Sequence, residues 1–248
     1  MNVRLGVSNI EKSYGKKKVL AGATYGFASG VTAVMGPNGC GKSTLLRICA
    51  LLEPPTAGEV RYSYTGKGNV PHDVALRRKI TYVLPEAALF NTTVWKNAAY
   101  GLMVRGVGRR ERKKRTAEML QAVGLYDKRK ENALFLSSGE AQRLALVRAM
   151  VLEPEVLFLD EPTVNLDQEN AAIVEKILLG MKKQTDAPTI ILATHDRAMA
   201  ERLADVVITI RHGKIPHGVV MKQGLDETVR GKKQEEESDL FINPEFFK

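Results

Sequence analysis

Residues 36–44 read Gly36-Pro37-Asn38-Gly39-Cys40-Gly41-Lys42-Ser43-Thr44, a spacing of glycines, lysine and hydroxyls that suits the enclosure of a polyphosphate. Glycine lets the backbone close around an anion without side-chain obstruction, so successive N–H groups face the phosphates. A helix beginning at the end of the run adds the positive end of its dipole. Lys42 is placed to bridge the β- and γ-phosphates, and the Ser43 hydroxyl to ligate Mg²⁺. The implied ligand is a nucleoside triphosphate, with Gly36, Pro37, Asn38, Gly39, Cys40, Gly41, Lys42, Ser43 and Thr44 around it. Cys40 reads either as a small residue that fits a tight loop or as a thiol whose ionisation a helix N-terminus favours.

A second group of chemical residues follows the apolar run Val156-Leu157-Phe158-Leu159, which ends in Asp160-Glu161. A strand-end aspartate of this kind holds Mg²⁺ through water, and the next carboxylate is free to polarise a water aimed at the γ-phosphate. Ser137 and Glu140 satisfy the capping-box spacing, so a helix is expected to start there and run to Glu153-Pro154.

The elements that must position these groups alternate in type. Val3 to about Met35 reads as short strands separated by polar turns, with Val31–Met35 a buried strand leading into the phosphate loop. The following helix is expected to end near Glu53-Pro54-Pro55, and strands to recur at Gly58–Tyr64 and Ile80–Leu84. Residues of about 90–152 carry helical periodicity instead: Ala117, Leu120 and Val123 share a face, and Gly124 is placed to end their helix. Apolar runs at 156–159, 189–192 and 206–210 then suit a parallel sheet buried on both faces. The expected fold is α/β, with a helical block inserted into the sheet domain.

In this order the motifs resemble those of the nucleotide-binding subunits of ABC (ATP-binding cassette) transporters. Leu136-Ser137-Ser138-Gly139-Glu140 is similar to the family's signature between its two nucleotide motifs, and the resemblance runs from about residue 3 to 220. It implies a phosphate-loop NTPase core of RecA-like type with an N-terminal antiparallel β subdomain and an inserted helical subdomain. The corresponding boundaries are an ATP-binding domain over 1–221, the insert at about 87–152 and a polar tail over 222–248. Tyr14 matches the aromatic residue that stacks on adenine, Asp167 in Asn165-Leu166-Asp167 the loop that crosses between paired subunits, and His195 the switch histidine at the γ-phosphate. By the same resemblance Glu161 and His195 are catalytic, Ser43 and Asp160 hold Mg²⁺, and Ser137 and Gly139 face the ATP of a partner subunit.

The resemblance further implies ATP hydrolysis by a head-to-tail dimer of identical or related subunits, coupled to a membrane permease. A separate ATPase chain with no fused membrane domain points to an importer, and the segments 90–102 and 152–157 resemble those of tungstate and molybdate importers. Two positions depart from the family. Pro85 stands where a glutamine normally reaches the metal and the attacking water, with Glu86 beside it as a candidate substitute, and Ser138 replaces the first signature glycine.

Composition bounds the remaining readings. Hydrophobic content of 44% and charged content of 26% are those of a globular chain. No apolar run approaches the roughly 20 residues that span a bilayer, and Met1-Asn2-Val3-Arg4 leads straight into a strand pattern, so a cytoplasmic protein held at the membrane by its permease is expected. Two cysteines make no disulfide framework. The net charge of +9 is concentrated in Arg105, Arg109, Arg110, Arg112, Lys113, Lys114 and Arg115, a run that suits a solvated helix face, a protein partner or anionic headgroups. A soluble ATPase built on the same cassette, acting in iron–sulfur assembly or on nucleic acid, is the alternative, and this charge keeps the nucleic-acid form open. Against it stands the absence of a coiled-coil insertion or zinc-ligand cysteines, so no nucleic-acid partner is expected. The polar tail closes with Phe241, Phe246 and Phe247, a cluster able to dock on the body.

Overall fold

A computed structural model describes residues 3–64, 68–183 and 187–216; the expected polar tail and its aromatic cluster lie outside them. The chain opens with strands β1 (Val3–Tyr14) and β2 (Lys17–Phe27), joined by a tight turn with Gly15 at positive φ. These are long strands rather than the expected short ones. Ser8, Asn9 and Gly22 sit at register shifts, such as that between Val7 and Ile10, so the ladder bends through them without ending. β3 (Val31–Met35) is buried and leads into α1 (Lys42–Cys49). α1 stops earlier than the proline pair suggested: Leu51 takes a left-handed φ of 59°, and the N–H groups of Leu51 and Leu52 bond back to Ile48 and Arg47. That closing turn satisfies the last carbonyls, so no proline is required to end the helix.

β4 (Ala57–Tyr64) pairs antiparallel with β1, giving a three-stranded sheet in the order β2-β1-β4. The short α2 (Val74–Arg77), capped by Asp73, precedes β5 (Ile80–Val83). The chain then turns helical: α3 (Val94–Val104) is capped by Thr93, α4 (Arg109–Ala122) is closed by Gly124 at φ 68°, and α5 (Ser138–Met150) begins at the Ser137–Glu140 capping box. Both signals on this block, the box and the terminal glycine, were legible in the sequence. α5 ends at Met150, and Glu153 turns the chain at positive φ before Pro154.

β6 (Val156–Asp160), α6 (Gln168–Lys182), β7 (Thr189–Ala193), α7 (Arg197–Leu203) and β8 (Val206–Thr209) complete the described chain. β6 and β7 are buried at every position, as expected for strands covered on both faces. The second sheet is parallel, in the order β5-β6-β7-β3-β8. One apolar cluster lies between the two sheets and α1, centred on Leu5, Leu20, Phe27, Leu45 and Phe158. A second fills the opposite face of the parallel sheet beneath α5, α6 and α7, and a third holds the helical block together through Val94, Leu120, Leu144 and Val147.

This order decides where the chemistry collects. β6, β7 and β3 are neighbours and run in the same direction, so the loops at their carboxyl ends lie side by side. Those loops carry Asp160-Glu161, Thr194-His195 and the 36–44 segment respectively. Ligands of open parallel sheets bind at this edge.

Candidate functional site

Between β3 and α1 the backbone takes a path that needs glycine at two places. Gly36 has φ 147°, and a Cβ there would lie 2.7 Å from the Ile210 carbonyl and from the Cys40 sulfur. Gly41, at φ 111°, caps α1 without any side-chain hydrogen bond, and a Cβ on it would meet Leu20 at 2.9 Å. The N–H groups of the first turn of α1 therefore receive no side-chain cap, the arrangement that suits an anion. Cys40 is half-buried with its sulfur packed over Gly36, which is the role of a small loop-filling residue. Pro37, Asn38 and Gly39 lie exposed at the turn of the loop.

Lys42 is only 5% exposed. Its ammonium donates to the carbonyls of Gly36 at 2.9 Å and Pro37 at 3.4 Å, which holds the side chain folded back over the loop. It also stands 3.5 Å from Glu161 Oε1. Glu161 occupies a left-handed φ of 47° just past β6, and its N–H bonds to the Ala193 carbonyl of β7. A non-glycine residue in that region is strained and must be held by its surroundings. The turn aims the carboxylate back across the sheet edge, where Oε2 accepts from His195 Nδ1 at 2.9 Å. An ionised carboxylate can only accept, so in the neutral ring Nε2 remains an acceptor for another partner.

The neighbouring carboxylate is enclosed. Asp160 is 2% exposed; its Oδ1 accepts from the Ser43 hydroxyl at 2.9 Å and its Oδ2 from the Tyr82 hydroxyl at 2.7 Å. A buried charge needs such donors to offset lost hydration. Burial first, and then the bond to Asp160, push the Tyr82 phenol far above its usual range, so it is a donor at every ordinary pH. Lys42, Ser43, Asp160, Glu161 and His195 are thus joined within one sheet edge, although they come from three separate segments.

A family model described as "ABC transporter" matches residues 27–164, and this span contains all of that cluster except His195. The chain belongs to the ABC transporter family. Among curated relatives, it is 35% identical over 214 residues to the tungstate uptake system ATP-binding protein TupC of Peptoclostridium acidaminophilum, covering 86% of this chain and 97% of that one. It is also 35% identical to the phosphate import ATP-binding protein PstB 2 of Natronomonas pharaonis, covering 97% and 87%. Among solved structures, the dimeric post-hydrolysis state of the ATP-binding cassette MJ0796 bound to ADP and Pi superposes with a TM-score of 0.77 at 28% identity. That match covers 88% of this chain and 99% of the other. The protein is an ABC ATPase with the family's α/β core, antiparallel β sheet and helical insert, and it is the ATP-binding subunit of an ABC transporter.

The remaining motif residues of this ABC ATPase lie outside the cluster. Ser137 caps α5, its oxygen accepting from the Glu140 N–H at 3.3 Å while Glu140 accepts from the Ser137 N–H at 3.0 Å. Lys128, then burial working the other way, set the Glu140 carboxyl, which ends below its usual range. Gly139 is buried against Asn170, and a Cβ on it would come 2.2 Å from that side chain. Asn170 in turn donates to Asp167, whose carboxylate caps α6 and is lowered first by the Asn170 N–H. The signature and the Asn165-Leu166-Asp167 loop are therefore one packed unit. Among the described residues no hydrogen bond or ion pair joins Ser137, Gly139 or Asp167 to Lys42, Ser43 or Asp160.

Tyr14, at the end of β1, is 44% exposed, with the Lys12 ammonium over its ring 5.3 Å from the centroid. Its hydroxyl donates to Glu53 Oε1 at 2.6 Å, and Arg47 reaches that hydroxyl at 3.3 Å and Thr44 at 3.4 Å. Lys12 also pairs with Glu53 at 2.9 Å. Glu53 and Arg47 were not singled out by any motif; they are found only because the closing turn of α1 brings the residues after it against β1.

Pro85 lies just past β5 and is half-buried, without a side-chain donor. Glu86 is exposed and lines a groove of about 270 Å³ with Tyr100 and Arg148, under the helical block. The β5 residue that reaches Asp160 is Tyr82, which sequence reading passed over as one more strand aromatic. The basic run begins before α4 and occupies its first two turns; Arg105 donates to the Leu152 carbonyl, Arg115 pairs with Glu111 and Glu153, and Arg109, Arg110, Lys113 and Lys114 are exposed. No helix among the described residues is long and apolar enough to cross a membrane.

Proposed function

We propose that this chain hydrolyses Mg²⁺-ATP as one half of a head-to-tail dimer, and that the dimer drives an importer of an inorganic oxyanion. The observation that carries the reading is the convergence of Lys42, Ser43, Asp160, Glu161 and His195 at one sheet edge. In it Lys42 and the first-turn N–H groups of α1 bind the β- and γ-phosphates. Ser43 and Asp160 are hard oxygen donors 2.9 Å apart, a pair that fits Mg²⁺, whose coordination is usually completed by waters and phosphate oxygens. Bound there, the ion neutralises phosphate charge. Glu161 takes a proton from the attacking water as general base, and His195, held through Nδ1, contacts the γ-phosphate. Tyr14 supplies the face on which adenine stacks.

What one chain lacks supports the dimer. Ser137 and Gly139 sit at the N-terminus of α5, whose dipole favours a phosphate, yet their own chain's phosphate loop is elsewhere. Two copies arranged head to tail bring each signature, with its neighbouring Asp167, to the other's ATP. The chain then works at the cytoplasmic face of the membrane, held there by a permease. The oxyanion cargo rests on the relatives, one named for tungstate uptake and another for phosphate import. Reconstitution with its permease subunit tests it. Tungstate- or phosphate-stimulated ATP hydrolysis in the presence of the cognate binding protein is expected; stimulation by neither oxyanion would contradict the cargo.

A further inference from the structure

The Tyr82 hydroxyl makes a contact that the motifs do not account for. Parallel pairing sets Tyr82 opposite Phe158, and their rings stack with centroids 6.5 Å apart and planes 27° apart. This fixes the ring, and from it the hydroxyl reaches Asp160 Oδ2 at 2.7 Å. Ser43 takes the other oxygen at 2.9 Å. A carboxylate with one donor on each oxygen, in a site 2% exposed, has its plane set as well as its charge offset. Neither neighbour of Tyr82 at the end of β5 offers this: Pro85 has no donor, and Glu86 is exposed on the groove beneath the helical block.

We propose that Tyr82 is a positioning residue for the ATP site, whose hydroxyl holds the Asp160 carboxylate in the orientation that serves Ser43 and the phosphate loop. The proposal rests on the reading of Asp160 as a metal-binding carboxylate. A donor behind a ligating carboxylate typically changes metal affinity by about 10–100-fold when removed. Core packing alone would not need it, because phenylalanine would stack on Phe158 equally well. Tyr82 also lines the groove beside Tyr100 and Arg148, so a shift of β5 at that groove reaches Asp160 through a single side chain.

Tyr82→Phe in the full-length protein tests this, with a fluorescent ATP analogue titrated with and without Mg²⁺. The ring is kept, and thermal melting checks that the fold is unchanged. Metal-free affinity should stay within about twofold of wild type, while the gain in affinity on adding Mg²⁺ should shrink about tenfold. In an Asp160→Ala background the same substitution should change nothing further. An unchanged Mg²⁺ gain, an equal loss with and without metal, or additive losses in the double variant would each overturn the proposal. If wild type itself shows no Mg²⁺-dependent gain, it is the ATP-site reading that fails, before Tyr82 is at issue.

Discussion

Lys42 Nζ stands 3.5 Å from Glu161 Oε1, so the buried cation of the 36–44 loop is paired with the carboxylate just past β6. On the proposed reading, a triphosphate draws the lysine away from this partner. The exchange releases Glu161, which His195 alone then holds from the other side at 2.9 Å. Substrate binding and freeing of the base are thereby one event.

Glu161→Gln reports on both roles. It removes the charge that competes for Lys42 and removes the base. ATP affinity should rise, and turnover should fall by about 10²–10⁴-fold, the usual contribution of a general base. The variant should also accumulate as an ATP-bound dimer, visible by size-exclusion chromatography with ATP present. A strictly monomeric variant at high protein concentration and saturating ATP would count against the dimer.

Gly139→Ala reports on the packed unit of signature and Asp167 loop. The new Cβ would lie 2.2 Å from the Asn170 side chain, which must leave Asp167 and Arg143 to make room. Overpacking of this kind costs about 1–3 kcal/mol. A lowered melting temperature without ATP, together with loss of ATP-dependent dimerisation, is expected. A variant with the wild-type melting temperature would show that Asn170 yields freely.

Much of this arrangement was legible in the sequence, for reasons that differ from element to element. The phosphate loop, the Ser137–Glu140 box and Gly124 are local signals, in which residues close in sequence satisfy one another, so spacing alone reveals them. The buried runs of β6 and β7 announced a parallel sheet because both faces are covered. What stayed hidden depends on register and on tertiary approach. Tyr82 meets Asp160 only through the β5–β6 pairing, and Glu53 meets Tyr14 only because Leu51 turns the chain back. The pairing of Lys42 with Glu161 likewise needs the strand order, which no single segment encodes.

Glu53 anchors the Tyr14 hydroxyl, and its substitution tests the proposed adenine face. Burial pushes its carboxyl upward, but hydrogen bonds from Tyr14, Lys12 and Arg47 outweigh this and leave it below the usual carboxylate range. A depressed folded value means the contribution is complete above the unfolded value, about 4.3, and is lost as pH falls through the folded one. The anchor should therefore be insensitive to pH between about 6 and 8. Glu53→Ala should weaken ATP binding severalfold in that window while affecting tripolyphosphate binding little. Equal losses for both ligands would place the effect at α1 rather than at Tyr14.

Pro85→Gln supplies a side-chain amide just past β5. In the proposed mechanism Lys42, Ser43 and Tyr14 hold ground-state ATP, so an added donor would act mainly in the transition state. Slow hydrolysis by the isolated wild type is expected, with Pro85→Gln raising kcat more than it lowers KM. Glu86→Ala should leave basal turnover nearly unchanged, because Glu86 is exposed on the groove. Loss of activity in Glu86→Ala with no gain in Pro85→Gln would assign the role to Glu86.

The most direct measurement is ATP hydrolysis and fluorescent-nucleotide binding by Lys42→Ala beside wild type. Lys42 is the one cation inside the loop, held by the carbonyls of Gly36 and Pro37 and facing Glu161. The account predicts turnover reduced to background and triphosphate affinity weakened by at least about tenfold, since a charge-assisted bond contributes about 1.5–3 kcal/mol. Hydrolysis and binding equal to wild type would contradict it.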